Sequence, residues 1–320
     1  MDYDYEDVIE GTNTCPLRFY EGDRIMANYV ITCCSTVDMN LDWLAKRDLQ
    51  AANFSFHLGI EEYKDDFGQS IDQKEIYRRM LAGEDAKTSQ VSTDEYVKLF
   101  TKNVKEGKDV IHLTLSSGIS GTYNSASTAA NMVMEEYPDR KIYVIDSTCA
   151  SSGYGLLVDY ACDLRDEGKS IEEVHELVEK NKKNLQHWFC TTDLTFFIKG
   201  GRVSKAAGIA GKVLNICPLL NVNVEGKLIA REKVRTKKKV LARLVEKMEE
   251  RAEGGLDYTG KVFISNSDCL EDAKVVADMI EQKFTKMNGR VEINPIGATI
   301  GCHTGPGTVA LFFWGDEREV

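Results

Sequence analysis

Residues 109–123 read DVIHLTLSSGISGTY, and this stretch decides the predicted fold. The mostly apolar, β-branched run over residues 110–115 predicts a buried strand. The run stops at Ser116-Ser117-Gly118, and after Gly121 small and apolar side chains recur at helical spacing. We therefore predict a buried strand, a glycine-containing loop and a helix, in that order.

The loop has the chemistry of an anion-binding site. The first turn of a helix carries unpaired N–H groups and a partial positive charge, which favour a bound anion. In an open α/β sheet, ligands lie outside the carboxyl ends of the strands, where Ser116, Ser117 and Gly118 fall. A helix cap beside a tight turn would use the same residues, so the loop alone leaves both interpretations open.

Strands and helices alternate along the chain as far as about residue 164, which predicts a parallel sheet with crossover helices. After that point hairpins mix with helices, as at Glu225-Gly226 between two apolar runs. We predict an α/β protein whose N-terminal domain has a mostly parallel sheet and flanking helices, and whose C-terminal α+β domain has a mixed or antiparallel sheet. The predicted divisions are an N-terminal extension (residues 1–27), the α/β domain (28–164) and the α+β domain (165–316).

Composition excludes several classes of protein. A net charge of −11 argues against nucleic-acid binding, which requires a basic face. No apolar run approaches the roughly 20 residues that span a bilayer, and the acidic N-terminus is unlike a secretory signal. The nine cysteines are scattered without metal-site spacing, so we expect no metal site and a reducing, cytoplasmic location.

Three segments are rich in groups that can hold an anion: residues 88–92, 116–122 and 297–307. Thr88 and Ser89 open the first, a hydroxyl-rich segment. The third is predicted to be a glycine loop, in which four glycines let the backbone approach a ligand and His303 places an imidazole at the mouth. His112 lies within the predicted strand, where a hydrogen-bonded core histidine is the better interpretation.

A basic cluster stands out in this acidic chain, and Lys233, Arg235 and Lys238 are its central members. Cations at the start of a helix oppose the helix dipole, so a phosphate or an acidic partner could explain their presence. Lys199 and Arg202, on either side of two glycines, could add to the positive electrostatic potential of this cluster. An ordinary solvated surface is the alternative.

A serine hydrolase is a second alternative. Ser117, Asp146 and His303 occur in the chain order of α/β-hydrolase triads. However, Gly118-Ile119-Ser120-Gly121 is not the Gly-x-Ser-x-Gly turn that exposes a nucleophile. Neither a P-loop nor a Gly-x-Gly-x-x-Gly motif is present, so ATP or NAD chemistry lacks its usual phosphate cradle.

Taken together, several ordered motifs resemble the DegV family of bacterial fatty-acid-binding proteins. They are TSQVS at residues 88–92, LSSGISGTY at 115–123, KGGR at 199–202 and IGCHTGPG at 300–307. The resemblance covers about residues 29–314. It departs at Cys33-Cys34, where the family usually has Thr-Asp, and residues 1–27 have no counterpart.

The resemblance implies a long-chain fatty acid lying between two domains, as ligand and without another cofactor. It further implies that an ATP-binding fatty acid kinase subunit phosphorylates the bound carboxyl group, while this chain has no catalysis of its own. A passive lipid-binding regulator remains a third alternative. The residues expected near the carboxylate are Thr88, Ser89, Ser116, Ser117, Gly118 and His303, and those expected near the partner or phosphate are Lys199, Arg202, Lys233, Arg235 and Lys238.

Overall fold

A computed structural model describes residues 28–204 and 216–320 of the chain. In chain order its strands are β1 (Tyr29–Cys34), β2 (Gln50–Ala52), β3 (Ser55–Leu58), β4 (Glu61–Lys64), β5 (Ala86–Ser89), β6 (Asp109–Thr114), β7 (Ile142–Asp146), β8 (Leu185–Cys190), β9 (Ile216–Val222), β10 (Leu228–Arg235), β11 (Phe263–Asn266), β12 (Glu292–Pro295) and β13 (Val309–Trp314). Its α-helices are α1 (Leu41–Lys46), α2 (Gln73–Leu81), α3 (Thr93–Lys105), α4 (Thr122–Glu136), α5 (Ser151–Asp166), α6 (Ile171–Asn181), α7 (Thr195–Lys199), α8 (Lys237–Arg251), α9 (Leu270–Lys283) and α10 (Ala298–Thr304). The predicted N-terminal extension lies outside the described residues.

The first sheet confirms the predicted strand, loop and helix. Its strands run in the order β2-β1-β6-β7, and every neighbouring pair is parallel. The central strand β6 is buried, and α4 begins at Thr122 after the glycine-containing loop. His112 is a core histidine, as expected: its Nδ1 lies 2.8 Å from Thr32 Oγ1, and burial lowers its pKa to about 3.

The second sheet confirms the predicted mixed sheet. Its order is β10-β9-β8-β13-β11-β12, with antiparallel pairs throughout except the parallel pair β11–β12. The hairpin predicted around Gly226 joins β9 to β10, and Gly226 adopts a φ of 75° that a side chain would strain. Within residues 28–204 and 216–320, no helix is long and apolar enough to cross a lipid bilayer.

A third, antiparallel sheet of order β4-β3-β5 was not predicted. Residues 61–64, in a segment rich in charged side chains, form β4. Thr88 was placed in a hydroxyl-rich segment, but it lies on β5, paired with Phe56. Strands β4 and β5 carry mostly polar, partly exposed side chains, so they lack the apolar alternation that indicates a strand.

The expected glycine loop over residues 297–307 is wrong in its central part, because residues 298–304 form helix α10. Glycines inside a helix disfavour it, so the sequence indicates a loop. Tertiary contacts outweigh that cost: the Thr299 N–H donates to the buried Asp65 carboxylate, 3.2 Å away. Gly301 is needed because a Cβ there would lie 2.7 Å from the Tyr77 hydroxyl.

Helix α5 packs against strands of both large sheets and connects them through charged side chains. Asp159, 5% exposed, forms ion pairs with Arg47 after α1 and with Lys261 before β11, at 3.1 and 2.5 Å. Asp163 contacts the same two cations at 2.5 and 2.7 Å. The domain boundary proposed near residue 164 would therefore lie within an element that both sheets share.

We expect Lys261→Met to lower the free energy of unfolding by about 1–3 kcal/mol, because Asp159 keeps Arg47 but loses its second cation in a nearly dry site. Urea denaturation followed by circular dichroism measures this change. The control is Lys274→Met, since Lys274 pairs with the exposed Glu271 and such pairs contribute about 0–1 kcal/mol. Equal effects of the two substitutions would show that the α5 cluster does not stabilise the fold.

Candidate functional site

A cavity lies where the β6–α4 loop, the third sheet and one face of the second sheet meet. It encloses about 950 Å³ including its open mouth. Side chains alternate between the two faces of the second sheet, and those on one face line the cavity. Phe189 lies opposite Ala310 on the neighbouring strand, and His187 lies opposite Phe312. The apolar lining residues are Phe54, Leu115, Ile119, Ala150, Phe189, Phe197, Val222, Leu228, Ile296, Ile300, Ala310 and Phe312.

Thr88 and His303, both expected near a carboxylate, meet in the cavity lining, and we call this part of the lining the polar end. They are 215 residues apart in the chain, yet Thr88 Oγ1 lies 2.8 Å from His303 Nε2. Strand β5 presents Thr88, and the last turn of α10 presents His303. Both side chains line the cavity, so two of the three predicted anion-binding segments meet there.

Arg202 also lines the cavity, rather than joining the exposed basic cluster. Its Nη1 donates to the Gly200 carbonyl at 2.5 Å, and burial lowers its pKa from its ordinary value without discharging it. Burial, with a smaller contribution from the Arg202 charge, lowers the pKa of His303 to about 4. At neutral pH the site therefore combines a neutral imidazole with one guanidinium cation.

Ser120 is a cavity residue that the sequence analysis missed. It lies just before α4, and its Oγ accepts a hydrogen bond from the Thr122 N–H at 3.2 Å. Because that bond uses an oxygen lone pair, the Ser120 hydroxyl proton can point to a ligand. The signal was present in the sequence, since Ser120 belongs to the same loop as Ser116 and Ser117, but spacing alone did not distinguish the three serines.

Four predicted carboxylate-binding residues lie outside the cavity lining. Ser117 is exposed and donates to Asp146 through its N–H at 3.0 Å and its hydroxyl at 2.5 Å. The buried Ser116 hydroxyl donates to the Gly226 carbonyl and accepts from the Gly118 N–H. Ser89 follows Thr88 on the opposite, exposed face of β5. The structure thus brings Thr88 and His303 together and assigns Ser116, Ser117 and Gly118 to holding the loop.

The same contacts bear on the serine-hydrolase alternative. Asp146 bonds directly to Ser117, with no imidazole between them, while His303 contacts Thr88 at the cavity. A triad requires the histidine between the acid and the serine. These three residues therefore do not form one. Across the described residues, no group of three His, Cys, Asp or Glu side chains is placed to hold a metal ion.

The remaining basic candidates lie on the surface and outside the cavity lining. Lys199 forms an ion pair with Asp85, 2.7 Å away. Lys233 and Arg235 are exposed on the edge strand β10, and Lys238 is exposed in the first turn of α8. The structure therefore separates Arg202 from the exposed residues with which the sequence grouped it.

Comparison with known proteins agrees with this geometry. Residues 29–316 match the family described as "Uncharacterised protein, DegV family COG1307". A DegV domain-containing protein of Clostridium perfringens is 37% identical over 294 residues, which cover 92% of this chain and all of that protein. The matched span runs from the first residue of β1 to just past β13, so it includes every element that builds the cavity.

Solved structures share the fold. A fatty-acid-binding DegV family protein from Thermus thermophilus is 25% identical, with a TM-score of 0.80 over 90% of this chain and 99% of that one. The Streptococcus pneumoniae Fatty Acid Kinase B3 protein, solved with linoleic acid, is 24% identical, with a TM-score of 0.78 over 89% of this chain and 99% of that one. Because the family match spans residues 29–316 and the Clostridium perfringens relative is 37% identical over its full length, the chain belongs to the DegV family.

Proposed function

We propose that this chain binds a long-chain fatty acid, with the acyl tail along the apolar lining and the carboxylate at Thr88, Ser120 and Arg202. The observation that carries the proposal is a cavity with a mainly apolar lining that also holds the Thr88–His303 pair, the Ser120 hydroxyl group and the Arg202 guanidinium. Each buried methylene contributes about 0.8 kcal/mol, so a sixteen-carbon tail would supply ~10 kcal/mol before the cost of ordering.

The polar end suits a carboxylate. Moving a carboxylate out of water costs several kcal/mol unless hydrogen bonds and an opposite charge replace the lost hydration. The Arg202 guanidinium offers the charge, and the Ser120 hydroxyl offers a free donor beside the first turn of α4. His303 is neutral at pH 7 because burial lowers its pKa, so Arg202 is the cation that balances the ligand.

We further propose that the chain presents the bound carboxyl group to a separate ATP-dependent kinase subunit and has no catalysis of its own. Gln90 is exposed, lines the cavity and lies two residues after Thr88, which supports an opening that a partner could reach. The exposed residues Lys233, Arg235 and Lys238 would suit an acidic partner surface. Such a role implies the cytoplasm, where ATP is available, and the Fatty Acid Kinase B3 protein has the same fold.

Two measurements test these proposals separately. Native mass spectrometry of the purified protein should reveal a co-purified molecule with the mass of a fatty acid; an empty cavity that also rejects added palmitate would contradict binding. Incubation with ATP, fatty acid and a bacterial fatty acid kinase subunit should yield an acyl phosphate. Binding without phosphorylation would instead favour the passive lipid-binding alternative.

The hydroxyl groups can be tested individually. We expect Thr88→Val and Ser120→Ala each to weaken palmitate binding by about tenfold, because each substitution removes a donor to a desolvated carboxylate. Tryptophan fluorescence or calorimetry can measure the dissociation constants. The matched control is Ser117→Ala, which removes an equivalent hydroxyl from the same loop but outside the cavity. A tenfold loss in Ser117→Ala with none in Ser120→Ala would reverse our assignment.

A further inference from the structure

A second pocket lies behind the wall of the cavity, next to the first turn of α10. It encloses about 600 Å³ including its open side, and none of its lining residues also lines the cavity. Two carboxylates face it: Asp38, in the turn after β1, and Asp65, directly after β4. The cavity-lining residues Ser151 and Thr299 form hydrogen bonds with these carboxylates and so separate the pocket from the cavity.

The two carboxylates are buried without a positive charge beside them. Asp38 is 3% exposed and Asp65 is 2% exposed. In the described part of the chain no lysine, arginine or histidine lines the pocket, and neither carboxylate forms an ion pair. Burial raises the pKa of both groups, and the nearby charge of Asp65 also raises the pKa of Asp38. Two neighbouring carboxylates in such surroundings require a positive counterpart.

Hydrogen bonds from the protein hold one oxygen of each carboxylate. The Ser151 hydroxyl donates to Asp38 Oδ2 at 2.5 Å. The Ser35 hydroxyl and the Thr299 N–H donate to Asp65 Oδ2, each at 3.2 Å. The Oδ2 atoms are therefore used in holding the two side chains, and the Oδ1 atoms are the ones left to meet a ligand.

The two Oδ1 atoms approach the same point beside Gly297, which precedes α10. A Cβ on Gly297 would lie 2.5 Å from Asp38 Oδ1 and 3.7 Å from Asp65 Oδ1. The Gly297 backbone counteracts part of the pKa rise of Asp38, yet Asp38 Oδ1 is buried and has no hydrogen-bond partner within residues 28–204 and 216–320. Buried polar atoms nearly always have a partner, so this oxygen indicates a ligand.

We propose that Asp38 and Asp65 bind one hydrated divalent cation of the Mg²⁺ type through their Oδ1 atoms. Carboxylate oxygens are the preferred ligands of such hard cations, and Mg²⁺ commonly takes one or two carboxylates and keeps several waters. The size and open side of the pocket leave space for those waters. The ion supplies the positive charge that the pair of carboxylates lacks.

This site departs from the expectation of no metal site, which rested on the spacing of the cysteines. Oxygen ligands from two separate turns leave no such spacing in the sequence. Because water completes the coordination, the site does not require a group of three acidic, cysteine or histidine side chains. The ion would join the turn after β1 to the end of β4 and to the start of α10, and a ligand that binds only the folded chain stabilises it.

Electron paramagnetic resonance with Mn²⁺, a spectroscopic substitute for Mg²⁺, tests the site directly. The purified protein is freed of metal with a chelator and titrated with Mn²⁺, whose free six-line signal is lost on binding. We expect one bound Mn²⁺ per chain, displaced by excess Mg²⁺. Asp38→Asn and Asp65→Asn should each weaken Mn²⁺ binding by about tenfold or more, because each substitution removes an ionised ligand.

The matched control is Asp42→Asn. Asp42 lines the same pocket but is exposed, so its substitution should change Mn²⁺ affinity by less than about threefold. An unaltered Mn²⁺ signal in the presence of the wild-type protein would overturn the proposal. Equal binding by the wild type and by the combined Asp38→Asn and Asp65→Asn variant would do the same, as would a larger loss in Asp42→Asn than in either buried variant.

Thermal melting provides a second readout. Saturating Mg²⁺ should raise the Tm of the wild type and leave the Tm of Asp38→Asn unchanged. Asparagine keeps the shape of aspartate and an acceptor for Ser151, and circular dichroism verifies that the variant folds; if it does not, Asp65→Asn and the wild-type titration still decide. A wild-type Tm that ignores Mg²⁺, with a higher Tm in Asp38→Asn, would show that the carboxylates share a proton instead. None of these measurements involves a fatty acid, so they are independent of the proposed function.

Discussion

Replacing Ala310 with tryptophan is expected to weaken acyl-chain binding by about a hundredfold while the protein stays folded. Ala310 lies in the middle of β13, faces Phe189 across the sheet and lines the cavity. A large side chain there would occupy the space proposed for the tail. Displacing even four methylene groups would cost about 3 kcal/mol, which is on the order of a hundredfold in the dissociation constant.

The control for this substitution is Ala230→Trp, which places the same side chain at an exposed position of β10 in the same sheet. Palmitate binding and thermal melting should be measured for both variants. The proposal requires a large loss of affinity in Ala310→Trp, none in Ala230→Trp, and cooperative unfolding of both. Full affinity in a folded Ala310→Trp protein would show that the acyl chain lies elsewhere.

Removing the guanidinium of Arg202 should have an effect of similar size. Arg202→Ala leaves the ligand carboxylate in a partly dry site without an opposite charge, and losing one partner of such a pair typically costs about 3 kcal/mol, or a hundredfold in affinity. Lys199→Ala, three residues away, removes a cation that is exposed and paired with Asp85, so palmitate affinity should not change.

A neutral ligand separates charge from packing in this experiment. Hexadecanol has the same tail as palmitate without the carboxylate, so Arg202→Ala should alter its affinity by less than about threefold. Calorimetry with both ligands provides the comparison. An equal loss for the alcohol and the acid would mean that Arg202 supports the cavity wall and does not pair with a carboxylate.

Periodicity was sufficient to predict most of the strands that form the two large sheets, although β2 was not predicted. The apolar run before Ser116 predicted β6, and Glu225-Gly226 predicted the β9–β10 hairpin. Both signals are local, because a buried strand needs a continuous apolar run and a tight turn needs particular residues. The resemblance to known motifs then identified Thr88 and His303 as neighbours, although 215 residues separate them.

The contacts of the individual hydroxyl groups could not be predicted. Ser116, Ser117 and Ser120 share one loop, and which of them reaches the cavity depends on the Asp146 carboxylate and the Gly226 carbonyl, which come from distant parts of the chain. Helix α10 was not predicted for a similar reason, because the Thr299 N–H in its first turn donates to the side chain of the distant Asp65. Polar partners of this kind leave no periodic pattern in the sequence.

The position of helix α5 has a consequence for how any ligand would exchange. If the two large sheets moved apart, Lys261 would leave the carboxylates of Asp159 and Asp163 on α5. The buried Asp159 would then keep only Arg47 as a cationic partner. That penalty opposes a rigid-body hinge between the two large sheets. Entry and exit of a ligand through the open mouth of the cavity would leave these ion pairs intact.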